Sequence, residues 1–441
     1  MTPSGKTVIV IGGGLAGLAA ATLLSDRGFQ VTLIEQKHRL GGRTFSFEDR
    51  TTSDMLDNGQ HILMGCYHYT LRWLELLGQA DHAQTGRLIH IPFAAPHKKL
   101  SPLIIPDLPM PIHLLVGILR FKNLSFWERL LLIKAGVKLT FQNIPETISV
   151  DNWLSNLGQN DNLRTYFWNP VCLAVMNESL QNASARLFTT ALKQMFLVKR
   201  DYSRIIIPKT SLSELFVKSS ELKIRQNGGV VLLGREVDKI LLEQDRITGI
   251  ALGDKNILNA DVYVSAVPQS AFTKIIDKGI RDEHFKAMDI LRTSPIISIY
   301  VWLTGTHADQ LFQGSFIGCI HTRIQWIFKK SDNLLEITIS GAGDMVNRHR
   351  DEIYELIIEE LKMLFSDFKA PMVRHFLVIK ERNATFSQSP DSKTRRLPCI
   401  SPIKNFYLAG DWTDTGLPAT IEGAVKSAYT AVDHICAKCQ N

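Results

Sequence analysis

Residues 7–35 read TVIVIGGGLAGLAAATLLSDRGFQVTLIE. The apolar run Val8, Ile9, Val10, Ile11 is followed by Gly12, Gly14 and Gly17 in the order G-x-G-x-x-G, then by a stretch of small apolar residues that includes Ala21. A second apolar run, Val31–Ile34, ends in Glu35. The spacing predicts strand, glycine turn, helix, strand. Each glycine has a mechanical reason: Gly12 turns the chain sharply out of the strand, Gly14 lets backbone approach a pyrophosphate, and Gly17 lets the helix pack on the sheet. Amides at the helix start lack intrahelical partners and face an anion favourably. Glu35 stands where a carboxylate accepts hydrogen bonds from ribose hydroxyls. Glycine turns of this kind also occur in ordinary packing, but the strand before, the helix behind and the acid beyond together point to an adenine dinucleotide.

The rest of the chain is long enough for two or three domains, with 441 residues, 45% of them hydrophobic and 21% charged, which argues against extensive disorder. Fifty Lys and Arg against 43 Asp and Glu give a net charge of +7, which favours an anionic partner only where the charge is clustered. Met1–Lys6 leaves no room for a signal peptide ahead of the first strand, so a cytoplasmic protein is expected. The six cysteines are scattered. Cys436 and Cys439 form a C-x-x-C without a second cluster, so no metal site is expected. No apolar run reaches the length of a membrane-spanning helix.

Nucleotide-domain signals fall in three separated blocks, 1–90, 204–270 and 395–441, and predict a discontinuous domain. The first includes Gly41, Gly42, Arg43 and then Asp57, Gly59, His61. The second carries strand-like runs at Val230–Leu233 and Val262–Val267, and the third a strand at Phe406–Ala409, a turn at Gly410-Asp411 and a helix after Pro418. Between the first two blocks, residues 91–203 are broken early by prolines and become helical in period from Ile112 to about Phe141, which predicts a helical cap. Residues 271–394 contain strand-like Pro295–Leu303 and Leu334–Ser340 and a helix-like Arg350–Phe365, a mixed-sheet substrate domain. The fold class expected is α/β, a Rossmann-like domain with an inserted mixed-sheet domain and a helical cap.

Leu408-Ala409-Gly410-Asp411 puts an acid at a strand end, and Pro418–Ala424 then starts a helix whose positive end favours negative charge on a reduced flavin. The three blocks together resemble the flavin-containing amine oxidase and carotenoid desaturase superfamily. Within it, Asn58-Gly59-Gln60-His61, Gly65-Cys66-Tyr67, Thr70-Leu71-Arg72, Pro170–Ala174 with Asn177, Ala183-Ser184-Ala185, Pro208, Leu212–Phe216 and Gly410–Gly416 resemble the squalene-associated FAD-dependent desaturases, understood as hydroxysqualene dehydroxylases. That resemblance spans almost the whole chain. It implies FAD as cofactor, reduction of hydroxysqualene to squalene on the route to hopanoids, and FAD contacts at Gly12, Gly14, Gly17, Glu35, Arg43, Val237, Gly410, Asp411 and Ile421, with Val237 holding the adenine through its backbone.

Such a reaction removes a hydroxyl and delivers hydride to the same carbon. Hydroxide leaves poorly, so a proton donor and an apolar pocket are needed. Asp57 and His61 are the candidate catalytic residues because they lie in a polar stretch expected near the flavin; the alternative is that they only hydrogen-bond backbone there. Tyr166, Phe167 and Trp168 either line the pocket or belong to ordinary core. Between Lys98 and Lys138, seven Lys and Arg face two acids among apolar and aromatic residues, so the cap is either a membrane-contact region on an anionic leaflet, which would also dissolve a triterpenoid substrate, or a packed cap with a basic rim. Nucleic acid is not expected, since no binding motif accompanies the charge. The membrane reading puts the protein on the cytoplasmic face of the inner membrane. A carotenoid desaturase, an amine oxidase and a flavin-free prenyl-lipid carrier are the competing readings, and the electron donor is left unidentified because no second nicotinamide fingerprint is present.

Overall fold

The computed structural model describes residues 5–83, 89–285, 291–305 and 307–440. Residues 1–4 of the short stretch Met1–Lys6, read as leaving no room for a signal peptide, lie outside the described residues. Five strands pair in parallel, in the spatial order Val230–Leu233, Gln30–Glu35, Thr7–Ile11, Val262–Ser265, Phe406–Leu408. All three sequence blocks therefore meet in one sheet. Its central strand is apolar at every position after Thr7 because both faces are covered. Val8 and Val10 pack under the helices Leu15–Asp26 and Ile421–Gln440, against Leu18, Ala19, Val425 and Ala428. Ile9 and Ile11 pack on the other side against Ile240, Ile250 and Phe272, which come from the antiparallel ribbon Val237–Glu243, Arg246–Leu252 and Ile257–Leu258 and the helix behind it. Residues Ala16, Gly17, Ala19, Ala20 and Ala21 are all buried, and their small size lets the first helix lie close on the strands. Leu18 is fully buried there, and its truncation to alanine would cost about 3 kcal/mol.

The second sheet has seven strands in the order Val373–Phe386, Thr293–Leu303, Leu334–Ser340, Trp326–Ser331, Phe316–Cys319, Phe93–Ala95, Lys98–Lys99. Period-two alternation gives it two distinct faces. Leu335, Ile337 and Ile339 pack with Ile297, Ile299 and Val301 against Ile353, Ile357 and Leu361 of the helix Arg350–Leu364. The alternate residues Glu336 and Thr338, with Ser298, Tyr300 and Trp302 on the neighbouring strand, point the opposite way, and Tyr300 and Trp302 pack against Leu56 from the first block. The mixed α/β fold expected from the sequence is what forms.

Two details differ from the sequence expectation. Residues 93–95 and 98–99, assigned to the helical cap, continue the mixed sheet, with Gly318 and Cys319 paired in parallel to Phe93 and Ala94. Strands of two or three residues hold through backbone bonds to a partner strand, distant for Phe93–Ala95 and adjacent for Lys98–Lys99, and are too short for periodicity to report. The helical run 112–141 is also two helices, Ile112–Arg120 and Phe126–Phe141. The break is a capping box: Glu128 Oε2 accepts from Ser125 N at 2.7 Å while Ser125 Oγ accepts from Glu128 N at 3.4 Å. The cap's own core is aromatic. Trp168 packs on Trp153 and Phe188 and donates from Nε1 to Gln159 Oε1 at 2.9 Å, so of the aromatic run 166–168 this residue is core.

Candidate functional site

The glycine turn follows directly from the C-terminal end of the strand Thr7–Ile11. Gly12 has φ +102°, a conformation that side chains resist, and its N–H donates to Ile34 O at 2.7 Å. A Cβ at Gly17 would fall 1.8 Å from Gly12 O, so turn and helix touch backbone to backbone. A Cβ at Gly14 would meet nothing within 4 Å. That is the position where the motif needs room for a phosphate, and Gly14 is also the N-cap of the helix, with no side chain competing for its free amides. Glu35, at the end of the second strand, accepts from Gly13 N at 2.7 Å through Oε2 and from Lys37 N at 2.9 Å through Oε1. The carboxylate thus braces the turn and still has lone pairs for hydroxyl donors. Arg235 N donates to Glu35 O at 3.0 Å, which brings Val237, buried at the start of its strand, close to the acid.

From this turn a continuous track of contacts runs across the strand ends. Gly41 N donates to Gly13 O at 2.8 Å, and a Cβ at Gly42 would lie 3.1 Å from Gly14 Cα. Arg43 follows. Its Nη2 donates to Asp411 Oδ1 at 2.8 Å and its Nη1 to Ala384 O at 2.7 Å, joining residues 368 apart in sequence. Asp411 and its attached carboxylate charge raise the Arg43 pKa further above its ordinary range, against the opposing effect of burial. Gly410, at φ +147°, donates through its N–H to Ser427 Oγ at 2.7 Å and so ties the turn to the last helix. Ile421 opens that helix; Thr420 Oγ1 caps it by accepting from Gly423 N at 3.1 Å. The Gly410–Leu417 turn is gathered around Arg396, which is buried, lies over the Phe386 ring, and donates to Leu417 O at 2.9 Å, Asp411 O at 3.2 Å, Thr415 Oγ1 at 3.2 Å and Thr413 O.

Arg43 also reaches the second turn, since Asn58 Nδ2 donates to Arg43 O at 2.9 Å. Asp57 precedes it at the end of the strand Met55–Asp57. Its Oδ1 accepts from Ser46 Oγ at 2.6 Å and from Leu212 N at 2.9 Å, so the carboxylate anchors the start of the helical segment that carries Ser213–Lys218. His61 Nδ1 lies 2.9 Å from Gly59 O; a carbonyl accepts, so this nitrogen carries the proton and Nε2 holds the lone pair of the neutral ring. Burial pushes the His61 pKa down, with Gly59 and Asp57 working the other way. Tyr300 donates to Asp57 O at 3.0 Å, Lys330 Nζ donates to Gln60 Oε1 at 2.8 Å and lies 3.8 Å from Asp57 Oδ2, and Gln60 N donates to Glu336 Oε1 at 3.2 Å. Among the expected residues, the structure links Gly12, Gly14, Gly17, Glu35, Arg43, Gly410 and Asp411 along one track and brings Asp57 and His61 beside Arg43. It also adds Arg396, Lys330 and Glu336, which the sequence reading missed. Glu336 alone left a signal, as the one charged residue inside an otherwise apolar and hydroxylic strand.

A cavity of about 1180 Å³ lies elsewhere, between cap residues such as Asp151, Arg164 and Asn169 and sheet residues such as His321, Arg323 and Gln325. It shares none of the residues of the three turns, and its largely polar wall does not suit an apolar ligand.

The family model described as flavin containing amine oxidoreductase matches residues 15–436. The hydroxysqualene dehydroxylase of Rhodopseudomonas palustris is 27% identical over 437 residues, covering 98% of this chain and 99% of that protein. The 15-cis-phytoene desaturase of Narcissus pseudonarcissus is also 27% identical, over 98% of this chain and 79% of its own length. Among solved structures, an oxidoreductase from Methanosarcina mazei superposes with a TM-score of 0.74 at 18% identity, over 97% of this chain and 100% of that one. A putrescine oxidase bound to putrescine gives 0.71 at 16% identity, over 98% and 99%. At such identities the structures show the shared fold.

Proposed function

We propose, from the premise that the chain belongs to the family of flavin-containing amine oxidoreductases, that it is a hydroxysqualene dehydroxylase, reducing hydroxysqualene to squalene in hopanoid biosynthesis. The cofactor is FAD, and the residues present fit it: the open side of Gly14 and the uncapped amides behind it suit a pyrophosphate. In this reading Gly12, Gly14 and Gly17 shape the phosphate site, Glu35 takes the ribose hydroxyls, and Val237 contacts adenine through its backbone. Arg43, Gly410, Asp411 and Ile421 hold the flavin end. Residues 1–90, 204–270 and 395–441 serve the nucleotide, 91–203 the cap and 271–394 the substrate.

When bound and reduced, FAD supplies hydride. The chain's own task is to let the hydroxyl go: the C–O bond breaks, the oxygen takes a proton and leaves as water, and hydride completes the new C–H bond. His61 is the proposed donor, with Asp57 holding the turn that carries it. Because burial lowers the His61 pKa, its charged form grows only as pH falls below the ordinary 6.5, and the proton-dependent step should quicken in that direction. The observation that carries the reading is the Asn58–His61 stretch, which combines the dehydroxylase-like motif with direct contact to Arg43. The end-to-end match to the Rhodopseudomonas protein supports the same assignment. Incubating reduced protein with hydroxysqualene and looking for squalene by mass spectrometry tests it. The second reading, a carotenoid desaturase, is favoured by the equal identity to the phytoene desaturase; polyene formed from phytoene by oxidised protein would establish it instead.

The substrate partner is an apolar triterpenoid, and the cap supports a membrane surface as the place where it is met, with residence on the cytoplasmic face of the inner membrane. No helix among the described residues is long and apolar enough to cross a membrane. Ile112, Leu115 and Leu119 on one helix, and Leu130, Val137 and Phe141 on the next, form exposed stripes at helical spacing, and Trp127 is 72% and Phe141 85% exposed. The two acids of this segment do not offset its Lys and Arg at the surface. Glu128 is buried in its capping box and Asp107 pairs with Arg200 at 2.8 Å. Sedimentation with anionic vesicles should carry the protein down and should fail for Trp127→Glu/Phe141→Glu; equal binding of the double variant would remove the membrane role. What reduces the flavin is an open part of the proposal, with a protein partner and free nicotinamide cofactor as the two sources to test.

A further inference from the structure

Glu336 sits on an interior strand of the mixed sheet, Leu334–Ser340, fully buried, on the face that looks toward the Asn58–His61 turn. Its Oε1 accepts from Gln60 N at 3.2 Å and from Thr338 Oγ1 at 3.2 Å. Its Oε2 is buried without a hydrogen-bond partner. Beside it lies Ser298, so close beneath the turn that a Cβ at Gly59 would fall 2.7 Å from the Ser298 hydroxyl. The charged and titratable groups packed around this place come from every neighbouring element. Lys330 is on the next strand, bonded to Gln60 Oε1 and close to Asp57; Tyr300 is on the strand opposite, bonded to Asp57 O; His61 and Arg43 lie on the turn side, with Glu381 beyond Asn58 at 3.3 Å. Among the described residues no cation forms an ion pair with Glu336; Lys330, which favours its charged form, bonds the side chain of Gln60. A carboxylate in such surroundings gives up water for two donors and leaves one oxygen bare, whereas a neutral carboxyl keeps the Gln60 contact and turns an O–H donor toward Ser298.

We propose that Glu336 is a positioning residue for the reaction: in its uncharged form it holds the Asn58–His61 turn against the mixed sheet, and its ionisation releases that turn and slows the chemistry carried there. The proposal rests on the reading of the turn as the reacting end of the site. Burial pushes the Glu336 pKa up to about 7, with Gln60 N, Lys330 and the two hydroxyls opposing, so both forms are populated near neutrality. The sign for stability follows. Below the ordinary 4.5 the group is neutral folded and unfolded alike; between 4.5 and about 7 the unfolded chain ionises first, so folded stability declines as pH rises and levels off above that range.

Glu336→Gln keeps the shape and cannot ionise, and Lys330→Met removes the nearby cation without touching Gln60 N. The melting temperature of FAD-loaded Glu336→Gln relative to the natural protein should climb from pH 5 to pH 8, a comparison that needs no substrate. For Lys330→Met the corresponding pH step should move to higher pH, because the cation that favours the charged form is gone. In turnover, the ratio of kcat for Glu336→Gln to kcat for the natural protein should rise about tenfold between pH 6 and pH 8, with KM unchanged, as expected for loss of a group that is about nine-tenths ionised one unit above its pKa. A pH-independent melting difference, or a flat kcat ratio, would overturn the positioning role, and so would a Lys330→Met step that stays in place. If the melting difference and the Lys330→Met shift appear but no variant converts hydroxysqualene, the assigned reaction fails; a rising kcat ratio on a different isoprenoid substrate would still support Glu336.

Discussion

The molecule holds two turns, both linked to Arg43 and its neighbours, by different means. The Gly12–Gly17 turn is fixed by its own backbone: a positive φ at Gly12, a helix that starts at once, and an approach at Gly17 so close that no side chain fits. The Asn58–His61 turn also has bonds of its own, at Gly59 O and Arg43 O, but it is held in addition from outside, by Tyr300, Lys330 and Glu336, which lie hundreds of residues later on the mixed sheet. A cofactor fold thus takes its phosphate site from local geometry and its reacting end from whatever second domain is laid against it. Such an arrangement lets one cradle serve many reactions, which is why the family alone does not fix the substrate.

The comparison breaks most readily at Gly17. Gly17→Val should abolish the phosphate site outright, since even the first carbon of the new side chain would stand 1.8 Å from Gly12 O; the expected cost is about 3 kcal/mol or more of folding free energy. Urea unfolding and the absence of flavin absorbance in the purified variant measure it, and a yellow, normally stable variant would show that the turn is not locally fixed. Next in size is Arg396→Met. It would leave the carbonyls of Leu417 and Asp411 without their donor in a buried site, for about 3 kcal/mol, and should weaken the flavin end while the glycine turn keeps its shape. If the variant unfolds at the same urea concentration as the natural protein, the Gly410–Leu417 turn is held by something other than this guanidinium.

The difference between the turns also explains what could be read from the sequence. Strand, glycine turn, helix and acid follow one another within 7–35, so periodicity and residue type suffice, and the same holds for Leu408–Asp411 and the helix behind it. Asp57 and His61 were legible as residues of interest but not in their roles. Asp57 anchors Leu212 and Ser46, partners 155 and 11 residues away, and no local pattern announces the first of these. Arg396 stands in a polar run that looks like any loop, and its burial follows only once Phe386 and the Gly410–Leu417 turn close over it. The strands at Phe93–Ala95 and Lys98–Lys99 escaped for the same reason: their partners lie more than 200 residues on, or across a two-residue hairpin too short to show a period.

His61 sharpens the comparison by testing chemistry in the externally held turn. His61→Gln keeps a hydrogen-bonding side chain but cannot be a cationic proton donor. It should lower kcat for dehydroxylation about a hundredfold, near 2.7 kcal/mol, with FAD content unchanged. Steady-state rates with flavin absorbance as the control decide it. A rate within threefold of the natural protein would return His61 to a purely structural hydrogen bond with Gly59 O.

Gly14→Ala is the smallest change and the most discriminating for the locally held turn. Gly14 has φ −74° and ψ 179°, an extended conformation open to any residue, and a Cβ there meets nothing within 4 Å. Alanine should therefore leave the stability of the FAD-free protein unchanged or raise it slightly by restricting the unfolded chain. The new methyl instead occupies the space a phosphate needs, so FAD affinity should fall about tenfold, near 1.4 kcal/mol. Fluorescence titration of FAD beside thermal melting of the apoprotein separates the two effects. Two glycines of one motif, three residues apart, would then respond in opposite ways, Gly17 through folding and Gly14 through binding, because only one of them faces the chain itself.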